Sequence, residues 1–396
     1  MEKIKKKILF ITPYFYPENI PANKLFQLID KNKFELIILT ALPNYKIFKF
    51  FKNYSIFGPY SENFYDHKIY RMPIIPRFSN SFLSIFLFYS TFFISTLFFI
   101  FFFGLFNRNK FYHVTSYCGS PVLVGYLGKV FSILTKCKNS IWIQDIWPEA
   151  IITSFSYNKD KKIFKLINYL QKKMWLFSDV IFSESHMLTN YLNKEISNKK
   201  IVTLYNPIKE NLKCKSLITP KFNNKKIIIS YFGNVGKTQN IERVFNKMGN
   251  EIIFNICGDG NDYERLKHKY KNNKNIIFYK WMNENELQEI AETTSFFYLS
   301  INQHERQKYI IPSKFQTYIN YEKPIVFFGD RLLCNFINDN NIGIGIETKV
   351  NESINISQIM NNYNTNQYSI NMKRIKELKK SFLPESIVEI YTDNIS

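Results

Sequence analysis

The sequence predicts an α/β protein with two doubly wound parallel-sheet domains in succession. Three observations predict it. Short apolar, β-rich runs alternate with loops and helix-compatible segments from Ile8 onward, the rhythm of βαβ units. A Lys- and Asn-rich, weakly periodic stretch ending at Lys226 interrupts that rhythm, and a second βα series starts at Ile227. The chain of 396 residues is long enough for two or three domains, each with its own core. The expected boundaries are 1–200 for the first domain, 201–225 for a linker and 226–382 for the second domain, with a helix over 383–396 packing back on the first.

Composition narrows the partners. The net charge of +21, carried mostly by Lys, favours an anionic partner: membrane lipid, nucleic acid or a phosphorylated substrate. The lysines are scattered and no zinc-finger, KH or RNP pattern occurs, which counts against nucleic acid. A compositional bias toward Lys, Asn, Ile and Phe accounts for the charge equally well. Cys118, Cys137, Cys214, Cys257 and Cys334 lie far apart with no CxxC or Cys/His ligand spacing. They read as reduced core thiols of a cytosolic protein. The opening MEKIKKKILFITP is basic, but Ile8 to Ile11 is too short for a signal peptide and reads as a first strand.

In the first series the strand runs are Ile8 to Thr12, Glu35 to Thr40, Ile69 to Met72, Phe111 to Thr115, Ser140 to Ile143 and Val180 to Ser183. Lys24 to Lys31 has helical composition. Ligands of such sheets sit outside the carboxyl ends of the strands. The loops of interest are therefore 13–23, Pro43-Asn44-Tyr45, Ser116 to Pro121 and Gln144 to Glu149. The last holds Asp145, Trp147 and Glu149, stiffened by Pro148. Two carboxylates beside an aromatic ring fit sugar recognition, since carboxylates accept hydroxyl hydrogen bonds while the ring packs on a pyranose face. The same residues serve equally as a helix N-cap (Asp145) and a core aromatic (Trp147).

Between the third and fourth of these runs lies Phe82 to Phe106, 25 residues without a charge, eleven of them Phe. As a helix it reaches about 37 Å, enough for a hydrocarbon core of about 30 Å. A single span would put strands of one sheet on opposite sides of a bilayer, and a hairpin needs about 40 apolar residues. The stretch is therefore expected to lie on or dip into the cytosolic leaflet. Ser84, Thr91 and Ser95 would face the protein, and Arg77, Arg108 and Lys110 would meet anionic head groups. The alternative is a buried core helix. Replacing Phe92 and Phe99 with Asp would unfold a core helix and leave a leaflet-bound one folded.

The second series opens with Ile227 to Phe232 and its turn Gly233-Asn-Val-Gly-Lys-Thr-Gln239, ahead of a helix over Ile241 to Met248. Glycines after a strand let backbone N–H groups approach a phosphate, a helix N-terminus adds its dipole, and Lys237 adds a full charge. The turn is neither GxGxxG nor a Walker A motif. The strand Ile252 to Cys257 ends in Gly258-Asp259-Gly260. Strand runs follow at Ile276 to Tyr279, Ser295 to Ile301 and Ile325 to Phe328. Ile311-Pro312-Ser313-Lys314 enters a helix through Pro and Ser, and Lys314 in a first turn is misplaced unless an anion binds there.

In order along the chain, Tyr16-Pro-Glu18, Leu42-Pro-Asn-Tyr45, Asp145-Ile-Trp-Pro-Glu149, Tyr205-Asn-Pro207, Phe232-Gly-Asn-Val-Gly-Lys-Thr-Gln239, Gly258-Asp-Gly260 and Pro312-Ser-Lys-Phe-Gln-Thr-Tyr318 with Lys323-Pro-Ile resemble glycosyltransferase family 4. Within it they look most like bacterial surface-polysaccharide (O-antigen or capsule) members. The resemblance implies a GT-B architecture, two Rossmann-like domains facing each other across a cleft. It implies metal-independent, retaining transfer of a hexosyl or N-acetylhexosaminyl group from a nucleotide sugar, of the UDP type. The acceptor would be a polyprenyl-diphosphate-linked saccharide at the cytoplasmic face of the membrane, with no cofactor and no nucleic acid.

The resemblance assigns the donor to Gly233, Asn234, Gly236, Lys237, Gln239, Gly258, Asp259, Gly260, Pro312, Ser313, Lys314, Gln316 and Thr317. It gives catalytic roles to Asp145, Glu149, Lys237 and Lys314, the lysines stabilising the departing diphosphate in place of a metal. It puts Glu18, Asn44, Tyr45 and Trp147 on the acceptor side. Two departures stand out. The paired glutamates of many members are replaced by Tyr309 and Thr317, with Glu305 off the pattern, and the first loop carries Pro21-Ala22 instead of a glycine pair. A GT-B sugar-nucleotide epimerase and a catalytically inactive membrane-bound scaffold are the alternatives. The first needs only soluble substrates, which the apolar stretch argues against.

Overall fold

The protein is described from a computed structural model, covering residues 5–45, 47–119, 123–147, 162–208, 226–300, 309–348 and 354–395. They fall into two compact units, Met1–Lys209 with Pro384–Ser396, and Glu210–Leu383. Each is a Rossmann-like α/β unit.

The first unit holds an eight-stranded sheet in the order β3-β4-β2-β1-β5-β6-β7-β8. Its strands are β1 (Lys6–Ile11), β2 (Phe34–Ala41), β3 (Ser61–Phe64), β4 (His67–Met72), β5 (His113–Cys118), β6 (Lys138–Ile143), β7 (Val180–Ser183) and β8 (Lys200–Thr203). All pairs are parallel except β3–β4, a short antiparallel edge hairpin the apolar pattern did not announce. β8 is a strand of this sheet, so the expected linker 201–225 begins inside the first unit. On one face α1 (Ala22–Leu28) and the C-terminal helix Pro384–Ile395 share a core with Phe10, Ile38 and Trp142. Tyr391 of that helix hydrogen-bonds Thr115 of β5 at 2.7 Å.

The opposite face is covered by α2 (Phe82–Phe106) and α3 (Val124–Thr135). α2 is the crossover from β4 to β5, and β1 pairs directly with both β2 and β5. Chain before and after α2 is thus hydrogen-bonded in one sheet, which is incompatible with a single membrane span. Ser84, Phe88, Phe92, Thr96, Ile100 and Gly104 form its buried strip at four-residue spacing. Tyr70 of β4 meets Phe99 and Phe103, and Gly104 lets Leu134 of α3 approach closely. The other side stays uncovered: Leu83, Phe86, Ile94, Phe98, Phe101, Phe102, Leu105 and Phe106 are exposed, Phe98 at 69% and Phe106 at 77%. One strip of the helix is therefore buried in the first unit and the other is exposed.

Three details differ from the expected arrangement. Ser84 is buried and Thr91 receives the N–H of Ile75 at 3.0 Å, both on the protein side as expected, but the third hydroxyl there is Thr96 rather than Ser95. Phe92 is fully buried and Phe99 packs on Tyr70, so both face the protein and neither substitution separates a core helix from a leaflet-bound one. Arg77 turns inward, as described below, while Arg108 and Lys110 are exposed.

The second unit holds a six-stranded, fully parallel sheet in the order β11-β10-β9-β12-β13-β14. The strands are β9 (Ile227–Phe232), β10 (Ile252–Cys257), β11 (Ile276–Tyr279), β12 (Phe296–Ser300), β13 (Ile325–Gly329) and β14 (Gly343–Glu347). Counted within the unit the order is 3-2-1-4-5-6, which reverses between β9 and β12. Such a switch point opens a crevice at the carboxyl ends of its two strands. The helix expected over Ile241 to Met248 is instead a 3₁₀ segment, Ile241–Lys247, after a shorter 3₁₀ turn, Lys237–Gln239. Asn240 between them is left-handed (φ +40°), which prevents one continuous helix. Cys118, Cys257 and Cys334 are free and buried, Cys137 is free and half-buried, and Cys214 lies outside the described residues.

Candidate active site

The switch point of the second unit brings two separated segments together. The turn after β9 and the helix Ser313–Asn320, which follows β12 in the chain, flank it. Tyr318 ties them: its hydroxyl accepts the N–H of Phe232 at 3.1 Å, and its ring stacks on Phe297 at 4.3 Å. One helical turn earlier on the same face, Lys314 reaches Gly233, whose missing Cβ would lie 2.6 Å from Lys314 Cε. Its φ of +127° favours glycine, and the lysine crosses the turn where a Cβ would stand.

The glycines of the next turn have a related use. A Cβ at Gly258 (φ +145°) would sit 2.0 Å from the Gly233 carbonyl oxygen, and one at Gly260 (φ +156°) 2.4 Å from that of Val235. The two turns pack backbone to backbone. Gly233 N donates to Cys257 O and Val235 N to Asp259 O, both at 2.8 Å, while Gly236 N donates to Gln239 Oε1 at 3.1 Å. These N–H groups are spent within the protein. The expected backbone cradle is thus a close-packed floor, and Lys237 and Lys314 supply the positive charge.

Lys314 is half-buried with its Nζ 5.1 Å from the centroid of the Tyr231 ring. Burial lowers its pKa to about 8. No carboxylate partners it among the described residues. A cation in the first turn of a helix, part-desolvated and without a counter-charge, is an unfavourable arrangement that a bound anion relieves. Lys237 is exposed. It acts on Asp262, whose pKa is held down first by its hydrogen bond to Arg265 and further by Lys237. Asp259 is half-buried and accepts the N–H of Gly260. Asn234 and Ser313 are exposed and Pro312 is half-buried at this edge. Of the two donor residues expected further along this helix, Gln316 is buried, while Thr317 is exposed and bonds back to Ser313 O at 3.4 Å.

In the first unit the loops after β1 and β2 are joined by Glu18. Its carboxylate is buried and accepts from Phe15 N (3.0 Å), Asn44 N (2.8 Å) and Tyr45 N (2.7 Å). Burial outweighs these bonds and raises its pKa to about 7. Glu18 is therefore a brace between loops rather than a group turned toward an acceptor. Asn44, also buried, accepts the backbone N–H of Arg77 at 3.2 Å. Trp147 is half-buried, its backbone clasped by the side-chain amide of Gln171 at 2.8 Å in both directions. Asp145 is half-buried at the end of β6 and acts on Tyr45, Tyr89 and Tyr117. Pro148, Glu149 and Glu305 lie outside the described residues.

Sequence reasoning missed the partners of Tyr45. Tyr14 stacks on Phe88 at 5.4 Å, lies 4.6 Å from the Tyr45 ring and shares a 3.2 Å hydrogen bond with Tyr89. Tyr14 and Tyr45 stand in loops at strand carboxyl ends, a signal available in the sequence; Tyr89 belongs to α2 and carried none. Arg71, fully buried, ion-pairs with Glu62 and donates to the carbonyls of Tyr16 and Ala41, fixing the base of this loop cluster.

A scan against protein-family models and a search of the curated proteins each found no match. Solved structures do match in fold. A sucrose-phosphate synthase from Thermosynechococcus elongatus aligns with a TM-score of 0.66 at 11% identity, covering 98% of each chain. A glycosyltransferase from Rickettsia africae gives 0.61 at 12% identity, covering 99% of this chain and 98% of the other. HepE from Anabaena, in complex with UDP and glucose, gives 0.60 at 10% identity, covering 98% and 99%. The two Rossmann-like units are those of the GT-B glycosyltransferase fold.

Proposed function

We propose that the protein is a glycosyltransferase that moves a sugar from a UDP-sugar to a lipid-linked saccharide. The observation that carries this reading is Lys314 at the switch point of the second sheet, half-buried, laid across Gly233 and without a carboxylate partner among the described residues. A nucleotide diphosphate is the anion such a position suits: its oxygens meet Lys314 and Lys237 as negative charge develops on the leaving group. Structures of the same fold that hold UDP support that choice of donor. By the same reading transfer is metal-independent and retaining, with a hexosyl or N-acetylhexosaminyl donor. Asp145 keeps the catalytic role that the family resemblance gives it.

The uncovered strip of α2 and the exposed Arg108 and Lys110 at its end support an acceptor carried in the inner leaflet of the membrane, a polyprenyl-diphosphate saccharide of surface-polysaccharide assembly. The test is a transfer assay. Membranes from cells expressing the protein are supplied with labelled nucleotide sugars and a panel of polyprenyl-diphosphate saccharides. One UDP-sugar is expected to label the lipid fraction, and Lys314→Met to abolish the labelling. Absence of transfer and of nucleotide-sugar hydrolysis from every donor would refute the reading in favour of an inactive scaffold.

A further inference from the structure

We propose that Arg77 and the phenols of Tyr14, Tyr45 and Tyr89 bind the lipid-borne phosphate of the acceptor, with its lipid running along the uncovered strip of α2. The inference rests on the reading above that the acceptor is lipid-linked, and it names the residues that hold it.

Arg77 stands between β4 and α2, four residues before the N-cap Ser81. Its backbone is pinned by Asn44 and its Nη2 donates to Asn80 Oδ1 at 3.0 Å. Its Nε is buried and has no partner among the described residues. Leaving a guanidinium donor buried and unpaired is costly, and an anion brought to Arg77 removes the cost. The Tyr14 hydroxyl hydrogen-bonds Tyr89 and lies in the field of Arg77. Burial pushes Tyr14 and Tyr45 up and Tyr89 to about 12, so all three remain protonated at neutral pH. Guanidinium beside neutral phenols is the donor set that a phosphate oxygen takes.

The surroundings give the ligand a direction. Tyr14 is acted on by Arg77 and Tyr117 by Asp145, while Tyr45 and Tyr89 feel both charges. Glu18, a second carboxylate that acts on Tyr45, is taken up by three backbone N–H groups. On the Arg77 side lie exposed Phe78, Phe82, Leu83 and Phe86, the start of the apolar strip. A molecule built as lipid, phosphate and sugar fits in that order: lipid on α2, phosphate at Arg77, sugar hydroxyls toward Asp145.

The test titrates full-length protein in neutral detergent, with saturating UDP, using geranylgeranyl diphosphate as probe. Phosphatidylglycerol vesicles and inorganic pyrophosphate are separate arms. Arg77→Gln is expected to weaken geranylgeranyl diphosphate binding by about tenfold or more, with partial recovery in Arg77→Lys. Vesicle binding is expected to be unchanged by Arg77→Gln and weakened by Arg108→Gln, and pyrophosphate to bind more weakly than the lipid probe. Unchanged probe binding in Arg77→Gln overturns the proposal. So does a loss confined to the vesicle arm, which makes Arg77 a head-group contact, or equal binding of pyrophosphate, which makes the site a free-phosphate one. UDP affinity of the same samples confirms folding. A wild type that binds the lipid probe but no UDP refutes the transferase reading and leaves this site standing.

Discussion

Lys314 makes the sharpest single-residue prediction. Its pKa of about 8 lies below the ordinary lysine value of 10.5 because burial disfavours the charged form. In the unliganded protein that charge costs stability below pH 8, a cost relieved as pH rises from 8 toward 10.5. A bound diphosphate needs the charged form. UDP affinity is therefore expected to fall above pH 8, by up to about tenfold per pH unit, and binding at pH 8 to take up protons. Titration calorimetry from pH 7 to 9 checks this, with Lys314→Met giving a weak, flat profile. Gly258 makes a stability prediction. Gly258→Ala forces a Cβ to 2.0 Å from the Gly233 carbonyl at a φ of +145°. It should cost about 2–4 kcal/mol and weaken UDP binding, read by thermal unfolding with and without UDP. For Glu18, the Gln variant sets an amide N–H against one of three backbone donors. A loss of about 1–3 kcal/mol is expected, seen as a lower unfolding midpoint.

At the scale of elements, α2 is two surfaces on one helix. Its inner strip is ordinary crossover packing, and its outer side leaves Phe82, Leu83 and Phe86, and again Ile94, Leu97, Phe98, Phe101, Phe102, Leu105 and Phe106, uncovered. Exposed apolar area of this extent on a folded unit marks a contact surface. Phe98→Ser with Phe102→Ser should leave the unfolding midpoint unchanged and move the protein from membrane to soluble fraction. Phe92→Asp buries a charge in the core of the first unit and should prevent folding. Fractionation and thermal unfolding of the two variants separate the strips. The sequence announced the helix and its length, because 25 uncharged residues admit little else. It did not announce which side is buried, because Phe occupies both. Ser84, Thr91 and Ser95 pointed near the protein side, yet Thr96 and Gly104 lie closer to its centre line. The 3₁₀ geometry after Gly236 was equally hidden, since it depends on left-handed Asn240.

For the whole molecule, both sheets were legible as series of apolar runs, and their strand orders put the carboxyl ends of β1 and β5, and of β9 and β12, at switch points. The meeting of Gly233 with Lys314 was legible only as two weak motifs far apart; the sheet order joins them. The use of the glycines was not legible, because a glycine that admits a phosphate and one that admits a neighbouring turn look alike in sequence. Glu18 likewise read as a ligand group until its three backbone partners were seen. The central claim is that the second unit holds a nucleotide diphosphate at Lys314. Titration of the purified full-length protein with UDP at pH 7 tests it most directly. The account predicts saturable one-to-one binding that Lys314→Met weakens by about a hundredfold. No binding by the wild type, or equal binding by the variant, would contradict it.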